Sequence, residues 1–173
     1  KYEEKNNNFC YKELKIKPKF SIITPIYNTP KLFLIEMIES VINQTYENWE
    51  LCLVDGNSDE KYIEEIVKEY EKRDNRIKSL FLSENKGIVG NSNEAIKIST
   101  GDFIVLLDHD DTLSDNALYE NAKVISEYDS DFIYSDEDKI TEDGRKRKDP
   151  FFKPDFNIDL LRTLYLYKII NYV

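Results

Sequence analysis

The sequence has few of the residues that build zinc sites and disulfide frameworks. Its 173 residues include two cysteines, Cys10 and Cys52, and one histidine, His109. Zinc is held mainly by cysteine and histidine side chains, so this content argues against a zinc centre. Cys52 lies in an apolar strand pattern and Cys10 in a polar segment. We therefore expect no disulfide framework and a reducing, cytoplasmic environment.

Long apolar runs and an excess of positive charge are also absent. No stretch approaches the roughly 18 apolar residues that span a bilayer, and residues 1–8 lack the apolar core of a signal peptide. The formal net charge of −10 argues against a general nucleic-acid binder. The basic run at 145–148 is interpreted as a solvated loop. A hydrophobic content of 40% excludes a disordered chain, and the length suits one domain.

Predicted strands and helices alternate along most of the chain. Residues 1–18 are interpreted as a polar leader and residues 19–173 as one domain. Right-handed crossovers would bring the turns after Thr24, Val54 and Leu107 to one edge of a sheet. The alternation predicts an α/β fold, a three-layer sandwich around a mainly parallel sheet. The predicted strands are 20–24, 49–54, 77–82, 103–107 and 132–134, and the predicted helices begin near 30, 60, 91 and 114.

The most informative segment is residues 103–111, in which five apolar residues are followed by Asp108, Asp110 and Asp111. The apolar run predicts a strand buried on both faces. Carboxylates are costly to bury, so they must lie where the strand leaves the core. Clustered carboxylates at a strand end suit a hard cation such as Mg²⁺ or Mn²⁺. The alternative is that Asp111 or Ser114 caps the next helix.

Several motifs, taken in order, resemble those of family-2 glycosyltransferases. The strand end at 106–111 together with residues 134–139 is most similar to a rhamnosyltransferase-like branch that makes surface polysaccharides. The matching segments are 21–28, 40–51, 53–59, 85–88, 92–96 and 101–111.

This resemblance implies the GT-A fold, which is Rossmann-like, and a nucleotide diphosphate sugar as donor, either a UDP-sugar or a dTDP-sugar. It implies inverting, metal-dependent transfer to a glycan or a lipid-linked acceptor, with Mn²⁺ or Mg²⁺ as cofactor. Tyr27 would pack on the base and Asp55 would hydrogen-bond it; a core tyrosine and a helix cap are the alternatives. The implied nucleotide-sugar-binding residues are Thr24, Pro25, Tyr27, Asp55, Lys86, Ser92, Asn93, Asp108 and His109, and the implied metal ligands are Asp108, Asp110 and Asp111.

The chain departs from the family pattern at two positions. Many relatives carry a second aspartate where this chain has Gly56, which leaves uridine specificity open. Many carry an arginine at the position of Ser92, so we expect Lys86 to supply the charge that faces the diphosphate.

No residue matches the family's catalytic base, a carboxylate that takes the proton from the acceptor hydroxyl. We expect that base beyond Val173 and interpret residues 136–138 as a polar loop near the acceptor. The chain is therefore expected to be the nucleotide-binding portion of a longer enzyme, inactive in transfer by itself. The full protein is expected to associate peripherally with the inner face of the membrane.

Other functional classes fit less well. A sugar nucleotidyltransferase would carry a glycine-rich loop after the first strand, and residues 24–30 contain no glycine. A response-regulator-like domain would carry an acidic pair there. A module that binds nucleotide without transferring sugar stays open.

Overall fold

The computed structural model describes residues 14–141 and 146–159 and the backbone of residues 170–172. These residues form four helices and eight strands. The strands are β1 (Phe20–Ile26), β2 (Trp49–Asp55), β3 (Ile77–Phe81), β4 (Phe103–Leu106), β5 (Phe132–Ile133), β6 (Glu137–Ile140), β7 (Arg147–Phe151) and β8 (Ile170–Tyr172). The helices are α1 (Lys31–Ile42), α2 (Lys61–Arg73), α3 (Gly87–Ile98) and α4 (Ala117–Tyr128).

Six strands form the central sheet in the order β3-β2-β1-β4-β8-β5. The first four are parallel, and β8 runs antiparallel between β4 and β5. The register pairs Ile26 with Asp55, and Ile23 with Leu106. The α/β fold with a mainly parallel sheet is therefore confirmed, and the carboxyl ends of β1, β2 and β4 meet at one edge.

Helices cover both faces of the parallel part of the sheet. Because side chains alternate along a strand, Ile22 and Ile23 of β1 point to opposite faces. Ile22 joins the larger core cluster, to which α1, α2 and α4 contribute buried residues. Ile23 joins the smaller cluster, which contains Ala95 of α3 and Cys52 of β2. Cys52 is a free thiol, and burial raises its pKa to about 12.

The apolar residues that recur at helical spacing in α2 and α4, and all but Ile42 of those in α1, are buried as the periodicity predicts. The four residues Ile63, Ile66, Val67 and Tyr70 are the buried residues of α2. The helix α3, however, begins at Gly87, four residues before the predicted start. Its first turn exposes Ile88 and Val89, which are 77% and 74% exposed, and so it lacks the amphipathic pattern used to predict a helix.

Two further boundaries and the burial of one strand differ from expectation. The strand β1 continues through Pro25 to Ile26, and a proline one residue before the strand end removes only a terminal hydrogen bond of the ladder. The helix α4 begins at Ala117 rather than near residue 114. The run at 103–107 is not buried throughout, because Leu106 is 37% exposed where β4 ends.

The interpretation of residues 136–138 as a loop is wrong for two of its three residues. Glu137 and Asp138 lie in β6, which pairs antiparallel with β7 in a separate two-stranded sheet. The strand was hidden in the sequence because this hairpin has no buried face, so it shows no alternation of apolar and polar residues. Asp143 and Gly144, a dipeptide that favours a hairpin turn, lie outside the described residues, as does most of the predicted leader.

A buried carboxylate lies at the opposite edge of the sheet, near the start of β2. Glu50 is 1% exposed, pairs with Lys19 and Lys78 at 2.5 and 2.9 Å, and accepts a hydrogen bond from Ser21 Oγ at 2.7 Å. Burial alone would raise its pKa, but these donors and the Thr100 N–H lower the pKa to about 2. The cluster holds three strands and the start of β4 together, at the edge opposite to the one where β1, β2 and β4 end.

Candidate functional site

The candidate site lies at the sheet edge where β1, β2 and β4 end. Tyr27 follows β1 directly and is 43% exposed, so it is not a core tyrosine. Its neighbour Asn28 has a positive φ of 50° and donates its backbone N–H to Ser58 Oγ at 2.8 Å. The Asn28 side chain also exchanges hydrogen bonds with Asp59. The loop that carries Tyr27 is therefore tied to the turn that follows β2.

Asp55 ends β2 and organises that turn. Its Oδ1 accepts the Ser58 hydroxyl at 2.5 Å and its Oδ2 accepts the Ser58 backbone N–H at 3.1 Å. It is 8% exposed. Asp55 therefore stabilises the turn, and it is not the helix cap offered as the alternative, because the residue at the N-cap position of α2 is Glu60. Each carboxylate oxygen retains a second lone pair, so this role leaves Asp55 able to accept a hydrogen bond from a ligand.

Two of the other expected donor-binding residues lie at the end of β1. Thr24 is fully buried, and its hydroxyl is among the buried polar groups without a hydrogen-bond partner in the described part of the chain. Pro25 is partly exposed. Thr24 thus lies within the strand, behind the surface that Tyr27 exposes.

The start of α3 forms the wall beside Gly56. Lys86 Nζ pairs with Glu94 at 2.9 Å, and this carboxylate raises the pKa of the Lys86 ammonium group above its ordinary value. Ser92 donates its hydroxyl to the carbonyl of Ile88 at 2.8 Å, one turn earlier in the helix. Both side chains thus have partners within α3, and Asn93 is exposed.

The carboxylates after β4 lie at the surface. Asp108 and Asp110 are exposed and Asp111 is partly exposed, and the Asp111 N–H donates to the Asp108 carbonyl at 3.2 Å. The imidazole of His109 has a buried Nδ1 without a hydrogen-bond partner among the described residues. The residue at the N-cap position of α4 is Asn116. Asp111 and Ser114 precede that position, so neither is the residue that caps the helix.

The described residues contain no group of three histidine, cysteine or carboxylate side chains that converge on one point. The residues after β4 nevertheless suit a hard divalent ion, because they offer exposed oxygen ligands. Mg²⁺ is commonly held by one or two carboxylates together with substrate phosphates and water rather than by a cage of protein ligands. The donor set therefore fits a metal ion that binds together with a diphosphate.

A cleft of about 860 Å³ adjoins these carboxylates, between the end of β4, the first turns of α1 and α4, and the β6–β7 hairpin. Its lining includes Asp110 and Asp111, the partly exposed Leu106, and Lys153. The sequence did not single out the cleft or Lys153. The lysine lies between phenylalanine and proline residues in a segment that follows neither the helical nor the strand period.

The segment after β7 is fixed to β5 and to the connection between β5 and β6. The Tyr134 hydroxyl donates to the Pro154 carbonyl at 2.9 Å, and the Lys153 N–H donates to Asp136 Oδ1 at 2.8 Å. The rings of Phe132 and Phe156 meet edge to face, with centroids 5.3 Å apart. These contacts hold the segment after β7 against the segment before β6, and residues of both segments line the cleft.

The chain matches the family model described as "Glycosyl transferase family 2" over residues 21–170. It is 44% identical over 151 residues to an uncharacterized protein of Sinorhizobium fredii, covering 87% of this chain and 16% of that protein. It is 36% identical to the O-antigen biosynthesis protein RfbC of Myxococcus xanthus, covering 87% of this chain and 12% of RfbC. The chain thus spans less than a fifth of the length of either relative.

A solved structure of S. aureus TarS in complex with UDP-GlcNAc is similar in fold. Its TM-score is 0.70 at 27% identity, and the match covers 89% of this chain and 45% of that one. None of the described helices has the length and apolar character needed to cross a membrane.

Proposed function

The chain belongs to glycosyl transferase family 2, a family of sugar-transferring enzymes with the GT-A fold, and we propose that it binds the donor of a glycosyl transfer reaction. The observation that carries this proposal is the arrangement of Tyr27, Asp55 and the carboxylates after β4 along one edge of the parallel sheet. Ligands of open α/β sheets bind outside the carboxyl ends of the strands.

The nucleoside would occupy the ends of β1 and β2. The exposed ring of Tyr27 offers a face on which the base can stack. Asp55 retains acceptor capacity for a base N–H, with Thr24 and Pro25 behind it. We further propose that Lys86, Ser92 and Asn93 contact the donor from the start of α3.

A divalent metal ion, Mn²⁺ or Mg²⁺, would bind at Asp108, Asp110 and Asp111 together with the donor diphosphate. Enzymes with this fold commonly use such an ion. When bound, the ion neutralises negative charge on the diphosphate as it leaves the sugar. The chain would hold the metal-bound phosphates beside these carboxylates. His109 lies between Asp108 and Asp110 in the sequence and is proposed to contact the donor there.

The donor we propose is a UDP-sugar, with a dTDP-sugar as the alternative. Support comes from TarS, whose structures were solved with UDP and with UDP-GlcNAc at 26% and 27% identity. A glycan or lipid-linked acceptor is in keeping with the name of RfbC as an O-antigen biosynthesis protein. Four expectations stay predictions: transfer with inversion at the sugar carbon, a catalytic base beyond Val173, peripheral membrane association and a cytoplasmic location.

A panel of nucleotides and nucleotide sugars in a thermal-shift assay, with Mn²⁺ and with EDTA, tests the donor site. A ligand that binds only the folded state raises its melting temperature. We expect UDP or dTDP, and a sugar conjugate of one of them, to raise it in Mn²⁺. A panel without any stabilising nucleotide would contradict the proposal.

An assay of sugar transfer tests the alternative, a module that binds nucleotide without transferring sugar. The chain and a version extended past Val173 are incubated with the best donor and a mixture of acceptors. We expect transfer by the extended protein and at most slow donor hydrolysis by the chain alone. Binding without turnover in both would favour the module.

A further inference from the structure

Lys153 is a lysine whose side chain is almost completely buried beside the candidate metal site. Its side chain is 2% exposed, and it lines the same cleft as Asp110 and Asp111. Its backbone N–H is held by Asp136, and the next residue, Pro154, is held by Tyr134. The backbone on both sides of the ammonium group is therefore fixed.

The ammonium group has unused hydrogen-bonding capacity. It carries three N–H donors, and in the described part of the chain its one acceptor is Glu137 Oε2 at 3.0 Å. A buried donor without an acceptor is costly. An anion with several oxygens, such as a phosphate, would satisfy the remaining donors with charge-assisted hydrogen bonds.

Electrostatic balance also favours a cation at this position. The three carboxylates after β4 and a diphosphate together carry more negative charge than one divalent ion neutralises. Lys86 and Arg147 have carboxylate partners, as Lys153 has, but their side chains are 41% and 63% exposed, whereas that of Lys153 is 2% exposed. The other lysines that line the cleft, Lys139 and Lys148, are exposed, and an exposed ammonium group gains little from an ion pair.

The order of the strands indicates which phosphate is involved. The proposed nucleoside position lies at β2 and β1, the carboxylates follow β4, and the cleft lies beyond them toward the β6–β7 hairpin. A donor that crosses this edge would place its sugar-bearing phosphate nearest the cleft. We propose that Lys153 binds this phosphate and stabilises the nucleoside diphosphate that leaves, an inference that rests on the proposed donor function.

The first test is calorimetry with UDP, UMP and uridine in Mn²⁺, on wild type, Lys153→Met and Lys148→Met. A charge-assisted hydrogen bond corresponds to about a 10- to 100-fold change in affinity. We expect Lys153→Met to weaken UDP binding by about that factor and to leave uridine and UMP within about twofold. Lys148→Met removes an exposed charge from the same cleft and should change none of the three. Unchanged UDP affinity in Lys153→Met would overturn the proposal.

Glu137→Gln separates phosphate binding from a structural role for Lys153. Removing the competing carboxylate should leave UDP affinity at least as high as in wild type. If the ion pair only stabilises the hairpin, both variants should weaken UDP binding alike, and that outcome would also overturn the proposal. If wild type itself binds no UDP, the donor function fails and not the role of Lys153 alone.

A measurement on wild type avoids dependence on the folding of the variants. An amine-reactive reagent followed by mass spectrometry reports the labelling rate of each lysine. UDP with Mn²⁺ should slow labelling of Lys153 relative to Lys148, and uridine should not. Equal labelling with and without UDP would contradict contact with the phosphate.

Discussion

The side-chain amide of Asn91 lies where a β-carbon on residue 56 would be. Asn91 Nδ2 is 2.3 Å from the position that a Cβ on Gly56 would take. Asn91 is 2% exposed, and it donates to Asn85 Oδ1 at 3.1 Å and accepts the Lys86 N–H at 3.2 Å. The amide is therefore held by the loop before α3 and fills the space beside residue 56, which favours glycine there. The presence of glycine at position 56, where the family pattern has a second aspartate, is thus coupled to Asn91.

A double-mutant cycle measures this coupling. Gly56→Ala should destabilise the protein by about 1–3 kcal/mol, because the new methyl group overpacks a buried site. In an Asn91→Ala background the same substitution should cost much less, because the amide is gone. Chemical denaturation of the four proteins gives the interaction free energy. Additive effects would mean that Asn91 does not set the identity of residue 56.

Asp110→Ala should remove metal-dependent nucleotide binding and leave the fold intact. Among the described residues the exposed Asp110 side chain makes no hydrogen bond or ion pair, and removing one of several neighbouring carboxylates relieves repulsion. We expect UDP affinity in Mn²⁺ to fall to its level in EDTA, with a free energy of unfolding within about 0.5 kcal/mol of wild type or higher. The control is Asp115→Ala, another exposed carboxylate in the same loop. An unfolded Asp110→Ala protein would point to a structural role instead.

Tyr27→Ala should weaken nucleotide binding without loss of stability. Stacking of a base on an aromatic ring contributes about 1–3 kcal/mol, which is about 5- to 150-fold in affinity. Tyr27→Phe should retain most of it. Tyr128→Ala, at an exposed tyrosine at the end of α4, serves as the control. Equal loss in the alanine and phenylalanine variants would assign the effect to the hydroxyl rather than to stacking.

Glu50 makes stability depend on pH in acid. Its pKa of about 2 in the folded protein lies below the ordinary value of 4.5. The ionised carboxylate therefore contributes its full stability above about pH 5, and this contribution is lost as pH falls toward 2. The loss should be on the order of 3 kcal/mol. Chemical denaturation at a series of pH values between about 6 and 2, roughly the titration window, measures this loss of stability.

Glu50→Gln should destabilise the protein by about 3 kcal/mol at neutral pH, because Lys19 and Lys78 lose a buried partner. Its stability should then change less with acid than that of wild type. Glu47→Gln, at an exposed glutamate on the same segment, should behave as wild type. An acid dependence in Glu50→Gln equal to that of wild type would contradict the assigned pKa.

The sequence predicted the elements that have a buried face, and it missed those without one. The stripe of α2 and the end of β4 follow from periodicity and from the cost of burying carboxylates. The strand β6 and the first turn of α3 have exposed residues on every side, so hydrophobic periodicity carries no signal for them. The coupling of Gly56 with Asn91 and the burial of Lys153 arise from tertiary contacts between segments distant in sequence. The site was thus predictable as a set of strand ends, whereas its cleft and its buried cation required the structure.

The most direct test of the donor site is a calorimetric titration of the chain with UDP, in Mn²⁺ and in EDTA. We predict measurable binding in Mn²⁺ and loss of most of the affinity in EDTA, because the carboxylates after β4 repel a diphosphate that has no metal ion. Equal affinity in the two buffers, or no binding of UDP or dTDP in either, would contradict a metal-dependent donor site at this edge of the sheet.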